Sequence, residues 1–121
     1  MDKSRELMEV CVKALDDRLA QDIEVLDVSE LTDLGDYFVM ATGNSSTQVR
    51  ALADMAEEKA KEAGFVLHHR EGYRGESWIL LDFSDVIVHV FDRESREFYS
   101  LEHLWEDAKK VDITDIIKDN E

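Results

Sequence analysis

The hydrophobic pattern of the first third of the chain predicts a helix and two strands. Residues 3 to 20 carry apolar side chains at spacings of three and four, which is typical of an amphipathic helix. Residues 23 to 28 are short and rich in β-branched side chains, which favours a strand. The run from 37 to 41 is apolar without alternation, and such a run indicates a strand that is covered on both faces.

A second helix is predicted directly after this buried strand. Gly43 and Asn44 interrupt the apolar run, and Ser45 with Gln48 three residues later matches a capping box. Small apolar residues then recur at helical spacing until Gly64, which is well placed to end the helix. Because these side chains are small, we expect the helix to lie close against a sheet.

The second half of the chain predicts three more strands and further helix. The strands fall at about 65 to 69, 76 to 82 and 85 to 92, and the short connection between the last two predicts an antiparallel hairpin. Residues 94 to 108 suit one or two short helices that pack on the sheet. The element order therefore predicts an α/β (α+β) fold, a mixed five-stranded sheet covered by helices.

Length and composition indicate one globular domain. The chain has 121 residues, of which 44% are hydrophobic, enough for a single compact core. We expect the domain to span residues 1 to 108, followed by an acidic tail, 109 to 121, whose isoleucines favour a loosely docked helix.

The charge balance restricts the partners. There are 29 acidic residues against 14 basic ones, which gives a formal net charge of −15. Phosphate backbones and anionic lipids repel such a protein, so direct binding to nucleic acid or to a membrane is disfavoured. A basic protein is the partner that this charge favours.

Other features of the sequence predict a cytoplasmic location. Cys11 is the single cysteine, so an intrachain disulfide and a zinc site with paired thiolates are both excluded. No apolar run approaches the roughly 18 residues of a membrane span. The first residues lack the apolar region of a secretory signal.

Four ordered motifs then resemble a known family. They are Asp36–Gly43, Glu71–Gly72, Trp78–Phe91 and Arg96–Trp105. In these motifs, and over about residues 5 to 108, the sequence resembles the ribosomal silencing factor family, also called the Iojap family.

The resemblance implies both a fold and a function. It implies a mixed sheet of about five strands, related to the nucleotidyltransferases. Members of the family bind the fourteenth protein of the large ribosomal subunit on its intersubunit face. They thereby obstruct joining of the small subunit and lower translation when nutrients are scarce. Relatives in organelles act in large-subunit assembly, and members are often homodimers when free.

The related enzyme fold raises the question of catalysis. The segment from Gly43 to Ser46 could hold a phosphate at a helix start, or it could be only a helix cap. Asp82 and Asp85 could converge on a metal ion, or they could be two acids that form a turn. The close Asp-x-Asp pair of the enzymes is missing, so two-metal phosphoryl transfer has no obvious ligand set. We therefore expect no catalytic residue, metal or cofactor.

The histidines and the cysteine favour structural roles. His68 and His69 are adjacent, so in a strand they point to opposite faces and cannot share a metal. His89 lies in an apolar strand and is expected to be a satisfied histidine of the sheet, whereas His103 is expected to be exposed. Cys11 lies on the apolar stripe of the first helix, which predicts a buried, inert thiol.

A recognition surface is predicted on one side of the strand from 76 to 82. Alternation places Ser77, Ile79 and Leu81 on the opposite side, and one of the two sides must meet the helices. The expected binding residues are an aromatic anchor with an acidic rim: Trp78 and Leu80, ringed by Glu76, Asp82 and Asp85. Such a surface suits a basic ribosomal protein. Alternatively, Trp78 is a core residue, which is also the favoured interpretation of Tyr37, Tyr99 and Trp105.

The sequence thus leads to a first hypothesis and two alternatives. The first is a ribosome-binding regulator without catalytic activity, which acts by occupying a surface that the small subunit needs. The second is a large-subunit biogenesis factor that makes the same contact at another stage. The third is a divergent nucleotidyltransferase that uses the Gly43–Ser46 turn with Asp82 and Asp85.

Overall fold

A computed structural model of the chain describes residues 3–33 and 35–117. It contains one mixed sheet with helices on both faces, so the predicted fold class is confirmed. The helices are α1 (Lys3–Asp17), α2 (Ser46–Glu62), α3 (Arg93–Tyr99) and α4 (Leu101–Leu104). The strands are β1 (Gln21–Asp27), β2 (Tyr37–Gly43), β3 (His69–Tyr73), β4 (Trp78–Asp82), β5 (Val86–Asp92) and β6 (Lys109–Lys110).

The two longest apolar strands lie at the centre of the sheet. The strand order is β3-β4-β5-β2-β1-β6, and β2 pairs with β5 in parallel while the other pairs are antiparallel. Every residue of β2 is buried, as is every residue of β5 except Asp92. The prediction that the unbroken apolar run of β2 is covered on both faces is therefore confirmed.

The sheet separates two clusters of apolar side chains. On the first face, α1 and α2 cover the larger cluster, which includes Ile79 and Leu81 of β4. On the second face, a smaller cluster is built on Phe38, Met40 and Phe91, with Trp105 packed against it. The helices α3 and α4 and the turn after them cover this second face in part.

The predicted start and end of α2 are confirmed. The Oγ atom of Ser45 accepts a hydrogen bond of 3.2 Å from the backbone N–H of Gln48. Just after the helix, Gly64 adopts a φ of +93°, a conformation that favours glycine. A Cβ atom on Gly43 would lie 3.1 Å from the backbone N of Val49, so the absence of a side chain lets α2 approach the end of β2.

The boundaries of β3 and β4 differ from the prediction in ways that affect the candidate site. The third strand is β3 at His69–Tyr73, not 65 to 69, because Phe65 and Leu67 pack against the core before the chain reaches the sheet edge. The fourth strand begins at Trp78, not at 76. Glu76 lies in the preceding turn with a φ of +66°, where the alternation of a strand no longer holds.

The described part of the predicted tail packs against the domain and is not helical. Residues 109 and 110 form β6, a sixth strand that pairs with β1. Beyond it, Ile113 is buried in the cluster of the first face, and Ile116 and Ile117 pack against that cluster. Residues 118–121 lie outside the described part of the chain.

Candidate binding groove

The second face of the sheet contains an open groove with a volume of about 330 Å³. Its floor is formed by side chains of β2, β4 and β5, and one wall is formed by α4 and the residue that follows it. The lining residues are Phe38, Trp78, Leu80, Asp82, Ile87, His89, Leu101 and Trp105. Within the described part of the chain, the lining is therefore mostly apolar and aromatic, with one carboxylate and one imidazole.

Aromatic contacts hold Trp78 at one side of this groove. Its ring centroid lies 4.4 Å from that of Tyr99 and 4.8 Å from that of Tyr73. The indole Nε1–H donates a hydrogen bond of 3.3 Å to Nδ1 of His89. Trp78 is half-buried, so it supports the fold and also presents part of its ring to the groove. Trp78 therefore combines the two positions considered for it: it packs with the aromatic residues of the fold and is partly exposed at the surface.

His89 lies in the floor of the groove and is neutral near pH 7. It is only 6% exposed, and burial lowers its pKa to about 4. Phe38 contacts its ring edge-on, with centroids 5.5 Å apart, and Phe91 stacks on it at 6.1 Å. As predicted, His89 is buried within the sheet, and its Nδ1 accepts a hydrogen bond from Trp78.

The wall of the groove is fastened to the sheet by Arg96 of α3, which is 8% exposed. Its Nη1 donates to Oγ1 of Thr42 at 2.8 Å and to the backbone oxygen of Asp22 at 2.7 Å. Its Nε donates to Oε2 of Glu102 in α4 at 2.6 Å. One guanidinium thus ties α3 and α4 to β1 and β2, and this positions Leu101 of the groove wall.

The structure places three of the five predicted binding residues together. Trp78, Leu80 and Asp82 line the groove, as the alternation of β4 predicts. Glu76 instead pairs with Arg50 of α2 at 2.6 Å, toward the first face of the sheet. Asp85 is exposed in the turn between β4 and β5 and does not line the groove. The binding role of all five residues stays a prediction.

Sequence reasoning missed several lining residues. Phe38, Ile87 and His89 belong to strands that read as buried on both faces, so nothing local distinguishes the groove side. Leu101 and Trp105 read as core residues of a short helix, and they line the groove because that helix spans only four residues. Among the other aromatic residues expected in the core, Tyr37 is buried and Tyr99 is half-buried.

The other candidate sites have structural roles in this fold. The segment from Gly43 to Ser46 forms the cap of α2 described above. Asp82 Oδ1 accepts a hydrogen bond of 2.7 Å from the backbone N–H of Ser84, as expected of a turn-forming acid. Cys11 is buried, as predicted, and this burial raises the pKa of its thiol to about 12. His103 is exposed, as predicted.

Within residues 3–33 and 35–117, no three or more His, Cys, Asp and Glu side chains are grouped so that they could hold a metal ion. Over the same residues, no helix has both the length and the apolar character needed to cross a bilayer.

Fold and groove together define a small α/β protein in which helices cover one face of a mixed sheet and only part of the other. The sequence profile described as "Ribosomal silencing factor during starvation" matches residues 1–121. The chain belongs to this ribosomal silencing factor family.

Individual relatives agree with this assignment. The chain is 37% identical to ribosomal silencing factor RsfS of Halalkalibacterium halodurans, over 94% of this chain and 97% of that protein. It is 33% identical to the chloroplastic protein Iojap of Arabidopsis thaliana, over 84% of this chain and 42% of that protein. A crystal structure of a Chromobacterium violaceum protein has a TM-score of 0.83 and 40% identity, and the match covers 88% of each chain.

Proposed function

We propose that this protein is a non-enzymatic regulator that binds the large ribosomal subunit and prevents the small subunit from joining it. The observation that carries the proposal is membership of the ribosomal silencing factor family, over the whole length of the chain. As the resemblance implies, the contact on the ribosome is the fourteenth large-subunit protein at the intersubunit face. The working location is then the cytoplasm, where ribosomes act.

The groove on the second face is the docking surface in this proposal. Trp78 and Leu80 supply partly exposed apolar area, and Trp78 is a residue type that often dominates binding energy. Asp82 adds a carboxylate at the groove, on a chain whose formal net charge is −15. A basic ribosomal protein complements this charge, which speeds the encounter, while the apolar contact slows release.

The mechanism requires occupancy and no covalent step. A protein bound at the intersubunit face takes up space that the small subunit needs. Repression then depends on the residence time of the complex compared with the time between subunit encounters. Salt is therefore expected to slow association more than it speeds dissociation.

The experiment is co-sedimentation of the purified protein with large subunits at low salt, followed by addition of small subunits. The expected result is that the protein pellets with large subunits and lowers the yield of joined ribosomes. Trp78→Ala and Leu80→Ala should both weaken pelleting. Leu19→Ala is the matched control, because Leu19 is 73% exposed and follows α1, which covers the opposite face of the sheet. Wild-type protein that stays in the supernatant would contradict the proposal.

A role in large-subunit biogenesis would use the same contact. Ribosomal particles from cells that lack the protein separate the two roles: immature large subunits indicate biogenesis, and excess joined ribosomes during starvation indicate silencing. Homodimer formation stays a prediction of the family resemblance, and sedimentation equilibrium of the free protein measures it.

A further inference from the structure

His89 is the one imidazole that lines the groove of the second face. It lies on β5 directly opposite Leu80 of β4 in the antiparallel pair. Around it, the groove is formed by aromatic and aliphatic side chains, with Asp82 as the single carboxylate among the lining residues that the structure describes. A polar group in such a setting affects both the shape of the groove and its choice of partner.

The hydrogen bond with Trp78 fixes the protonation of the His89 ring. The indole N–H can only donate, so Nδ1 of His89 must accept, at a distance of 3.3 Å. Burial keeps the ring neutral by lowering its pKa to about 4. A neutral imidazole whose Nδ1 accepts carries its proton on Nε2. His89 therefore has one N–H donor left.

That second nitrogen has no partner within residues 3–33 and 35–117, yet it is not sealed from solvent. Among the described residues, the single fully buried side-chain nitrogen or oxygen without a hydrogen bond is Oε1 of Glu24. Nε2 of His89 is also without a hydrogen bond but is not fully buried, so it retains some accessible surface. Since His89 lines the groove, the groove is the opening through which a bound partner would reach this nitrogen.

We propose that His89 determines specificity in the groove: its Nδ1 orients the indole of Trp78, and its Nε2–H donates a hydrogen bond to an uncharged oxygen of the bound ribosomal protein. This inference rests on the proposed function and adds the chemistry of the partner. A backbone carbonyl or a side-chain amide or hydroxyl oxygen fits. A carboxylate does not, because Asp82 shares the groove and the whole chain is strongly acidic. A partner without an acceptor would leave this donor unsatisfied on losing its water.

Two variants distinguish the role of Nδ1 from the role of Nε2. His89→Asn places an oxygen near the position of Nδ1, so it can still accept from Trp78, but it has no donor at Nε2. His89→Phe keeps a ring of similar shape and removes both functions. We expect each variant to weaken binding of the isolated fourteenth large-subunit protein by about fivefold, which corresponds to the usual net value of one lost hydrogen bond. His89→Phe, which leaves the indole N–H of Trp78 without its acceptor, should move the resonance of this N–H further toward that of a free indole than His89→Asn does.

A measurement on the unmodified protein tests the same claim. A long-range ¹H–¹⁵N spectrum of the free wild type should show His89 protonated on Nε2. On addition of the fourteenth large-subunit protein, this Nε2–H should become protected from exchange with water. A merely structural histidine would show the tautomer without the protection.

The outcomes are distinguishable. Protonation on Nδ1, an unchanged Trp78 resonance in His89→Phe, or an Nε2–H that still exchanges rapidly in the complex would each overturn the inference. Wild-type affinity of His89→Asn would also overturn it. Failure of the wild type to bind at all would overturn the proposed function and, with it, the donor role. The tautomer in the free protein would still report on the contact between His89 and Trp78.

Discussion

The two faces of the sheet are built from similar side chains but are covered to different extents. On β4, Ile79 and Leu81 point to the first face and are fully buried. Trp78 and Leu80, which alternate with them, point to the second face and are only half-buried. Residue type does not separate the two sets, because both contain large apolar side chains. The two sets differ instead in the helices that cover them.

The lengths of the helices explain the difference. The first face is covered by α1 and α2, with 15 and 17 residues, and at 1.5 Å per residue these extend about 22 and 25 Å along the sheet. The second face has α3 and α4, with seven and four residues, which reach about 10 and 6 Å. Such short helices cannot cover this face of a six-stranded sheet, so a groove remains. The first face thus stabilises the fold, and the second leaves the groove that the proposed function uses as its docking surface.

The largest expected effect comes from the same truncation on either side of β4. Leu81→Ala removes a fully buried side chain and should lower the free energy of unfolding by about 2 to 5 kcal/mol. Leu80→Ala removes a half-buried one and should cost about 1 kcal/mol. Urea denaturation measures both. The comparison fails if Leu80→Ala is as destabilising as Leu81→Ala.

A second effect follows from the histidine in the second face. His89 has a folded pKa of about 4, whereas an unfolded histidine titrates near 6.5. Between these values the unfolded state binds more protons, so stability falls as the pH is lowered from about 6.5 to 4. The full loss is about 3 kcal/mol. Above about pH 6.5 this contribution is fully present.

The control for this titration is His89→Phe. The exposed histidines His68, His69 and His103 and all carboxylates remain in the variant, so their contributions stay in its profile. We expect the difference between the wild-type and variant unfolding free energies to slope with pH in this window and to be flat above it. Urea unfolding at a series of pH values measures the slope. A parallel pair of profiles would show that His89 is not buried as described.

The third effect concerns the wall of the groove. Arg96→Met keeps an unbranched stem but loses the hydrogen bonds to Thr42, Asp22 and Glu102, and should cost about 2 to 3 kcal/mol. Arg93→Met is the matched change at an exposed position, where the ion pair with Asp22 spans 3.4 Å, and should cost less than about 1 kcal/mol.

Amide hydrogen exchange locates the damage from Arg96→Met. Because Arg96 ties α3 and α4 to the sheet, we expect faster exchange for the amide of Trp105, which donates to the backbone oxygen of Leu101. The amides of α2 should keep their exchange rates after correction for global stability. Uniform acceleration in both regions would contradict a local role for this arginine.

The features that the sequence predicted are those with local signals. The unbroken apolar runs identified the central strands, and Ser45 with Gln48 identified the start of α2. β3 was placed wrongly because its residues, His69–Tyr73, are mostly polar, and pairing with β4 is what makes them a strand. That pairing is a tertiary interaction, which local periodicity does not contain.

The groove was predictable only in part for the same reason. Alternation along β4 placed Trp78, Leu80 and Asp82 on one side. Two side-chain hydrogen bonds that shape the groove join residues that are distant in the sequence. Trp78 and His89 are 11 positions apart, and Thr42 and Arg96 are 54 positions apart. Contacts between such residues cannot be predicted from sequence spacing until the strand order of the sheet is known. Glu76 was misplaced because alternation was extended into a turn.

The smallest expected effect distinguishes the two acids that the sequence placed on one rim. Asp82→Asn removes a charge from the groove and retains an oxygen that can accept from the backbone N–H of Ser84. Glu76→Gln removes a charge that instead faces Arg50 of α2.

If the second face is the docking surface, Asp82→Asn should slow association with large subunits by roughly twofold at low salt, and the difference should vanish at high salt. Glu76→Gln lies outside the groove and should have a smaller effect on this rate, with a loss of stability below about 0.5 kcal/mol. Stopped-flow association at two salt concentrations measures both variants. A larger effect from Glu76→Gln would move the docking surface away from the groove.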